Sequence, residues 1–181
     1  RLCRPEGPRC WGANQVGQVG TGTAPYWRRA AMVSGVTNAT ELALGCLHSC
    51  ARLADATVRC WGDDNSGGLG SAAQTPYGDP PVVVTGLTSV AQLAVGSAHS
   101  CARLDGGEVH CWGDGADGCL GNGAPDISHE PVASGSGETP LSAVHHIALG
   151  VRFSLAIVPR QLGGGAVVMG WGRNQDLVLS A

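Results

Sequence analysis

Two tripeptides, His48-Ser49-Cys50 and His99-Ser100-Cys101, carry the residue types of nucleophilic catalysis: an imidazole base beside a hydroxyl and a thiol. Neighbours on a strand point to opposite faces, so neither histidine can activate the serine next to it. Their return at one place in a repeating pattern favours a packing or hydrogen-bonding role. A metal reading starts from Cys46, His48 and Cys50, three soft ligands alternating along one strand face, but the second copy has Ser97 at the place of Cys46 and no fourth ligand follows. Asp63-Asp64-Asn65-Ser66-Gly67 opens like a calcium loop, yet its twelfth position is Gln74 where a bidentate Glu is needed. Gly163-Gly164-Gly165 lacks the spacing and the Lys of a phosphate loop and reads as a turn. His129, Glu130, His145 and His146 form the one polar cluster outside the repeats, and an enzyme or lytic reading would have to use it. A solvated loop accounts for it, with metal binding as the alternative. Asn38-Ala39-Thr40 is a glycosylation sequon in a host that modifies such sites. No catalytic, cofactor-binding or metal-binding residue is assigned.

The cysteines carry a stronger signal. Cys50 and Cys60, and Cys101 and Cys111, each bracket a strand, a turn and a strand. In antiparallel hairpins centred on Ala54-Asp55-Ala56 and on Asp105-Gly106-Gly107, the members of each pair face one another. Cys3 and Cys10 bracket a tighter turn rich in Pro and Gly. The spacing predicts three hairpin disulfides, Cys3 to Cys10, Cys50 to Cys60 and Cys101 to Cys111, each contributing about 2.5 to 3 kcal/mol through loop entropy. Such bridges persist in an oxidising compartment, which places the chain outside the cell or at its surface. The competing reading is reduced, buried cysteines in a cytosolic protein. Cys46 and Cys119 lie outside the pairing pattern and either join each other or stay free.

What positions these residues is a repeat. Residues 44–70 recur as 95–121, with Gly45 matching Gly96, His48 matching His99, and Cys60-Trp61-Gly62 matching Cys111-Trp112-Gly113. A worn copy from Leu149 keeps Gly150, Ser154, Trp171 and Gly172 but replaces the His by Phe153 and the two Cys by Leu155 and Gly170. A truncated copy opens the chain with Cys10-Trp11-Gly12 and the tail Ala13 to Gly20. The repeats divide the chain into a partial unit at 1–24, units at 25–74 and 75–122, and a divergent terminal unit at 123–181, all within one domain. The last unit has a longer, unstapled loop over 159–165, and Leu177 and Ser180 stand where Gly17 and Gly20 stand in the first tail. Twenty-nine Gly and ten Pro in short clusters point to short strands and tight turns, about four strands per unit. The recurring Trp residues, with large apolar area and one N–H, suit packing between units. A net charge of −3 with a single Arg28-Arg29 doublet argues against nucleic acid as a partner. No apolar run approaches the length needed to cross a bilayer. The absence of an initiator Met and of a signal peptide is expected for a mature form or an excised part.

Taken together, His48-Ser49-Cys50 to Trp61, His99-Ser100-Cys101-Ala102-Arg103-Leu104-Asp105-Gly106 to Trp112, and Trp11 to Gly20 resemble the repeats of the regulator of chromosome condensation family. The cysteine-bearing form is similar to versions in secreted or surface bacterial proteins. The resemblance implies an all-β fold, a partial β-propeller of about 3.5 four-stranded blades, or half of a seven-bladed ring of about 350 residues. The remaining blades would come from the rest of a longer chain or through self-association. Its functional implication is a secreted, non-enzymatic propeller that binds another protein through blade-top loops, in outline like the bacterial propellers that inhibit β-lactamases. The other activity it implies is nucleotide exchange on a small GTPase in company with chromatin, against which the hairpin cysteines and acidic balance weigh.

Overall fold

The computed structural model describes residues 8–22, 25–73, 76–136, 139–160 and 164–174. Strands β1 (Arg9–Ala13) and β2 (Tyr26–Met32) form an antiparallel pair. Four antiparallel strands follow as one sheet: β3 (Ala39–Leu44), β4 (His48–Leu53), β5 (Val58–Asp63) and β6 (Tyr77–Val83). The next sheet repeats that order with β7 (Val90–Val95), β8 (His99–Leu104), β9 (Val109–Gly113) and β10 (Ser128–Ala133). A short ribbon, β11 (Gly135–Ser136) with β12 (Thr139–Pro140), leads to a sheet of β13 (His146–Leu149), β14 (Phe153–Pro159) and β15 (Ala166–Gly172).

Each sheet is a meander of neighbouring strands, so hairpin spacing alone sets most of the pairing. In the first full hairpin Ala56 N–H donates to Leu53 O at 3.0 Å, and the Asp55 carboxylate holds the turn by accepting from Thr57 N–H. That turn places Cys50 opposite Cys60, and the matching turn places Cys101 opposite Cys111. Both pairs are disulfide-bonded with Cα atoms 4.1 Å apart.

The hydrogen-bonded sheets are cut at a different phase from units expected at 1–24, 25–74, 75–122 and 123–181. β2 and β6, which open two of those units, turn back and pair with β1 and β5 of the unit before. A sequence repeat defines a period and leaves the starting point free; the free edge of the Trp-bearing strand decides it.

The first strands of successive sheets lie side by side, β3 against β7 and β7 against β13. Apolar residues from each pair of sheets fill the layer between them. Cys50, Val58 and Cys60 meet Leu93, Ala102 and Trp112 in one layer, and Cys101, Val109 and Cys111 meet Ile147 and Ala156 in the next. These residues are almost wholly buried, so the disulfides sit inside the inter-sheet core.

Candidate functional site

The recurring polar residues converge on one site, built three times. After the Trp-bearing strands the chain makes Gly-rich tails, two of which are closed by a buried acceptor side chain: Asn14 Oδ1 accepts from Val19 N–H at 2.8 Å, and Asp64 Oδ1 from Leu69 N–H at 3.0 Å, whereas in the third Asp114 Oδ1 accepts from Ala116 N–H at 2.9 Å. This closure aims one tail carbonyl at the next sheet. Gln18 O accepts from Trp61 Nε1–H and Ser49 Oγ–H, both at 2.9 Å. Gly68 O accepts from Trp112 Nε1–H at 2.9 Å and from Ser100 Oγ–H at 3.4 Å. Cys119 O accepts from Trp171 Nε1–H at 2.9 Å and from Ser154 Oγ–H at 3.0 Å. Both lone pairs of each carbonyl are thus used, while Asp64 Oδ2, in the second tail, is buried without a hydrogen-bond partner.

The histidines complete the arrangement. His48 Nε2 lies 2.8 Å from Ser100 Oγ, and His99 Nε2 lies 3.1 Å from Ser154 Oγ, each in the following sheet. Because each serine donates onward to a tail carbonyl, each imidazole is the donor and carries its proton on Nε2. Burial holds both rings well below the ordinary imidazole range, to about 4, with a further contribution at His48 from the charge of His99. A neutral donor ring bound to a hydroxyl that is itself donating cannot serve as a general base toward that hydroxyl. Phe153 stands at the third histidine place with no hydrogen-bonding ring nitrogen, and it packs under Gly150.

Close approach in this site depends on glycine. A Cβ at Gly70 would lie 2.8 Å from Trp112 Nε1, and its φ is +65°, in the left-handed region. Gly70→Ala is expected to cost roughly 2 to 4 kcal/mol through strain and overpacking. Gly86→Ala, at a similar φ of +71° but with nothing within 4 Å, is expected to cost about 1 kcal/mol. Urea unfolding of the two variants compares them directly; equal losses would show that contact with the Trp ring is unimportant.

The other candidate residues do not assemble a reactive centre. Cys50 is in its disulfide, Cys46 is an exposed free thiol, and His48 faces Ser100, so the three soft ligands are split. Cys119 is a buried free thiol and does not join Cys46. Its Sγ–H reaches Ala116 O and Arg152 O, and burial pushes it above its usual range. Cys3 lies outside the described residues, and Cys10 carries a free thiol among them. His129 packs on Gly67, while His146 lies 3.4 Å from Gln92. Among the described residues no three His, Cys, Asp or Glu side chains come together as a metal site.

Of the landmark Trp residues, Trp61 and Trp112 are fully buried but Trp11 is 64% exposed, because no tail lies ahead of it among the described residues. Gly12, Gly62, Gly113 and Gly172 share φ between +104° and +120° at the end of the Trp strand, and Gly45, Gly96 and Gly150 start the matching turns. Two contributions had no sequence motif. One is the tail carbonyl that takes both donors. The other is the pair Glu41 and Gln92, whose side chains reach the backbone of the neighbouring sheet; their shared position before the apolar run of each first strand is the signal that could have found them.

Family profiles for the Regulator of chromosome condensation (RCC1) repeat match residues 90–119 and 106–157. The chain belongs to the RCC1 repeat family. It is 31% identical over 160 residues to the RCC1 domain-containing protein RUG3, mitochondrial, of Arabidopsis thaliana, covering 83% of this chain and 36% of that protein. It is 31% identical over 134 residues to the human probable E3 ubiquitin-protein ligase HERC6, covering 70% of this chain and 13% of that protein. The chain therefore spans a minor part of these RCC1 relatives. In structure it is similar to human WBSCR16, with a TM-score of 0.74 and 24% identity over 94% of this chain and 46% of the other. Prp20p from Saccharomyces cerevisiae, studied for its binding to Gsp1p and histones, gives a TM-score of 0.68 and 21% identity over 87% of this chain and 39% of the other. These likenesses establish the all-β fold of the RCC1 propellers, of which the sheets described above are blades. No helix among the described residues is long and apolar enough to cross a membrane.

Proposed function

We propose that this chain is a non-enzymatic protein-binding scaffold, and that it binds through the loops at the end of the blades where the tails lie. The observation that carries this reading is a contrast within three equivalent turns. Gly45 N–H donates to His48 O, Gly96 N–H to His99 O and Gly150 N–H to Phe153 O, all at 2.8 to 2.9 Å. On that common backbone the next two residues differ completely: Cys46-Leu47, Ser97-Ala98 and Val151-Arg152. Leu47 is 46% exposed and Val151 65% exposed, while the recurring polar groups are spent inside the layers. A rigid frame presenting variable, partly apolar loops is the arrangement of a recognition surface.

The two buried disulfides favour an oxidising compartment, extracellular or at a cell surface. A photo-crosslinking residue at Leu47 or Val151 is expected to capture one discrete partner from the native extracellular milieu, and one at Asp55, in a hairpin turn, is not. Equal capture at all three positions, or none at Leu47 and Val151, would remove the loop reading. Nucleotide exchange is the second reading, favoured by the fold shared with Prp20p. It predicts faster release of GDP from Gsp1p on addition of the chain; the scaffold reading expects no acceleration at stoichiometric concentration.

A further inference from the structure

Where one blade's tail meets the turn of the next blade, the two enclose a crevice, and two such crevices are built from equivalent residues. The first is lined by His48, Asp63, Ser66, Gly68 and Ala98, with Leu47 at its side. The second puts His99, Asp114, Cys119 and Arg152 in the places of His48, Asp63, Gly68 and Ala98. Asp117 stands five residues after Trp112, as Ser66 stands five after Trp61.

The second crevice is supplied with a cation by the chain itself. Arg152 Nη1–H donates to Asp117 Oδ2 at 2.9 Å, and the charge of Asp114 acts on the same guanidinium. A cavity of only about 30 Å³ is left there. In the first crevice Ala98 brings no charge, and Gly68 has no side chain where Cys119 has one, so about 80 Å³ stays open. Asp63 is half-buried beside it; its Oδ1 accepts from Asn65 Nδ2–H, and among the described residues no cation pairs with it. His48 spends Nε2 on Ser100, which leaves Nδ1 of the neutral ring a bare acceptor. The acid is present at both junctions, and its cation at only one.

We propose that the first crevice takes an arginine side chain carried by a protein partner, seated between the tail and the Ala98 turn as Arg152 is seated at the next junction. It rests on the loop reading and gives that partner its chemistry. The guanidinium donates to the Asp63 carboxylate and the Ser66 hydroxyl, and its carbon stem lies along Leu47, which is 46% exposed. Arginine suits the site better than lysine, because its planar fork reaches several fixed acceptors at once and is less tightly hydrated.

The test titrates the whole 181-residue protein with acetyl-arginine methylamide and follows the backbone amides by NMR. Saturable shifts are expected at Asp63, Ser66 and Ala98, with a Kd of about 10 mM, the scale of one charge-assisted contact. Asp63→Asn weakens binding at least tenfold, and Ala98→Arg, which fills the crevice with the chain's own cation, abolishes it. Arg152→Ala opens the second crevice and adds shifts at Asp114 and Asp117. The amide spectrum of each variant shows that it is folded. No saturable shift, an equal response to acetyl-lysine methylamide, or unchanged binding in Ala98→Arg overturns the proposal. So does self-association of the parent that sedimentation shows to be lost in Ala98→Arg, since the occupant is then a second copy. The crosslink at Leu47 separates this proposal from the loop reading. Capture that disappears in Ala98→Arg supports both, and capture that persists there overturns this proposal alone. Absence of capture in the parent overturns the loop reading, and the titration still decides the crevice.

Discussion

Removal of both hairpin disulfides will lower the unfolding free energy by about 5 to 6 kcal/mol, from two bridges that each close a short loop. A domain of ordinary stability has about 5 to 15 kcal/mol in total, so the loss is a third or more of it and brings a domain at the low end of that range to its unfolding midpoint. The variant is Cys50→Ala, Cys60→Ala, Cys101→Ala and Cys111→Ala, and the measurement is urea unfolding against the oxidised parent. Each pair alone is expected to cost half as much, because the pairs sit in different inter-blade layers. All four residues are 0% exposed, so reductant acts on the native protein only through opening of the blades. Reduction rate will therefore rise with urea in step with unfolding. An unchanged urea midpoint in the fourfold variant would mean that the blades are held by packing alone, and the argument for an oxidising compartment would lose its physical basis.

Acid will weaken the protein in a window set by His48 and His99. Both have a folded pKa of about 4, against an ordinary value of 6.5. Above pH 6.5 neither the folded nor the unfolded chain protonates these rings, and their contribution to stability is fully present. Between pH 6.5 and 4 the unfolded chain binds protons that the folded protein refuses, so stability falls as pH falls. The loss levels off below pH 4 at about 3 kcal/mol per ring. Protonation would place a charge inside a layer where Ser100 and Ser154 already donate to tail carbonyls, with no acceptor left to compensate it. His48→Gln is expected to lower stability at pH 7.5, by about 1 to 3 kcal/mol for the disturbed buried hydrogen bond, and to flatten the slope between pH 6.5 and 4. A variant whose pH slope matches the parent's would show that the histidines do not govern the acid response.

Much of this architecture was legible because it is local. Cys50 and Cys60 face one another because a hairpin with a short turn between them permits little else, and the same argument holds for Cys101 and Cys111. The reading of His48 and Ser49 as unable to pair with one another follows from the alternation of a strand. What the histidine does instead was not legible: its partner is Ser100, fifty-two residues on, and only the stacking of blades brings them within 2.8 Å. The tail carbonyls were equally silent, since a backbone oxygen has no signature in sequence. Cys46 and Cys119 could be read as partners until burial of one and exposure of the other separated them.

The sequence by itself determined the period, the strand-turn-strand units, the facing cysteines and the Trp-Gly landmarks, because each depends on contacts within a few dozen residues along one meander. Tertiary structure alone decided where one blade ends and the next begins, which donors share each tail carbonyl, and how Glu41 and Gln92 tie neighbouring first strands. It also separated Trp61 and Trp112, fully buried, from Trp11, which is exposed together with Leu44 among the described residues. The same residue type in the same motif meets a neighbouring blade in one place and solvent in another, and burial is a property of what is packed against a residue.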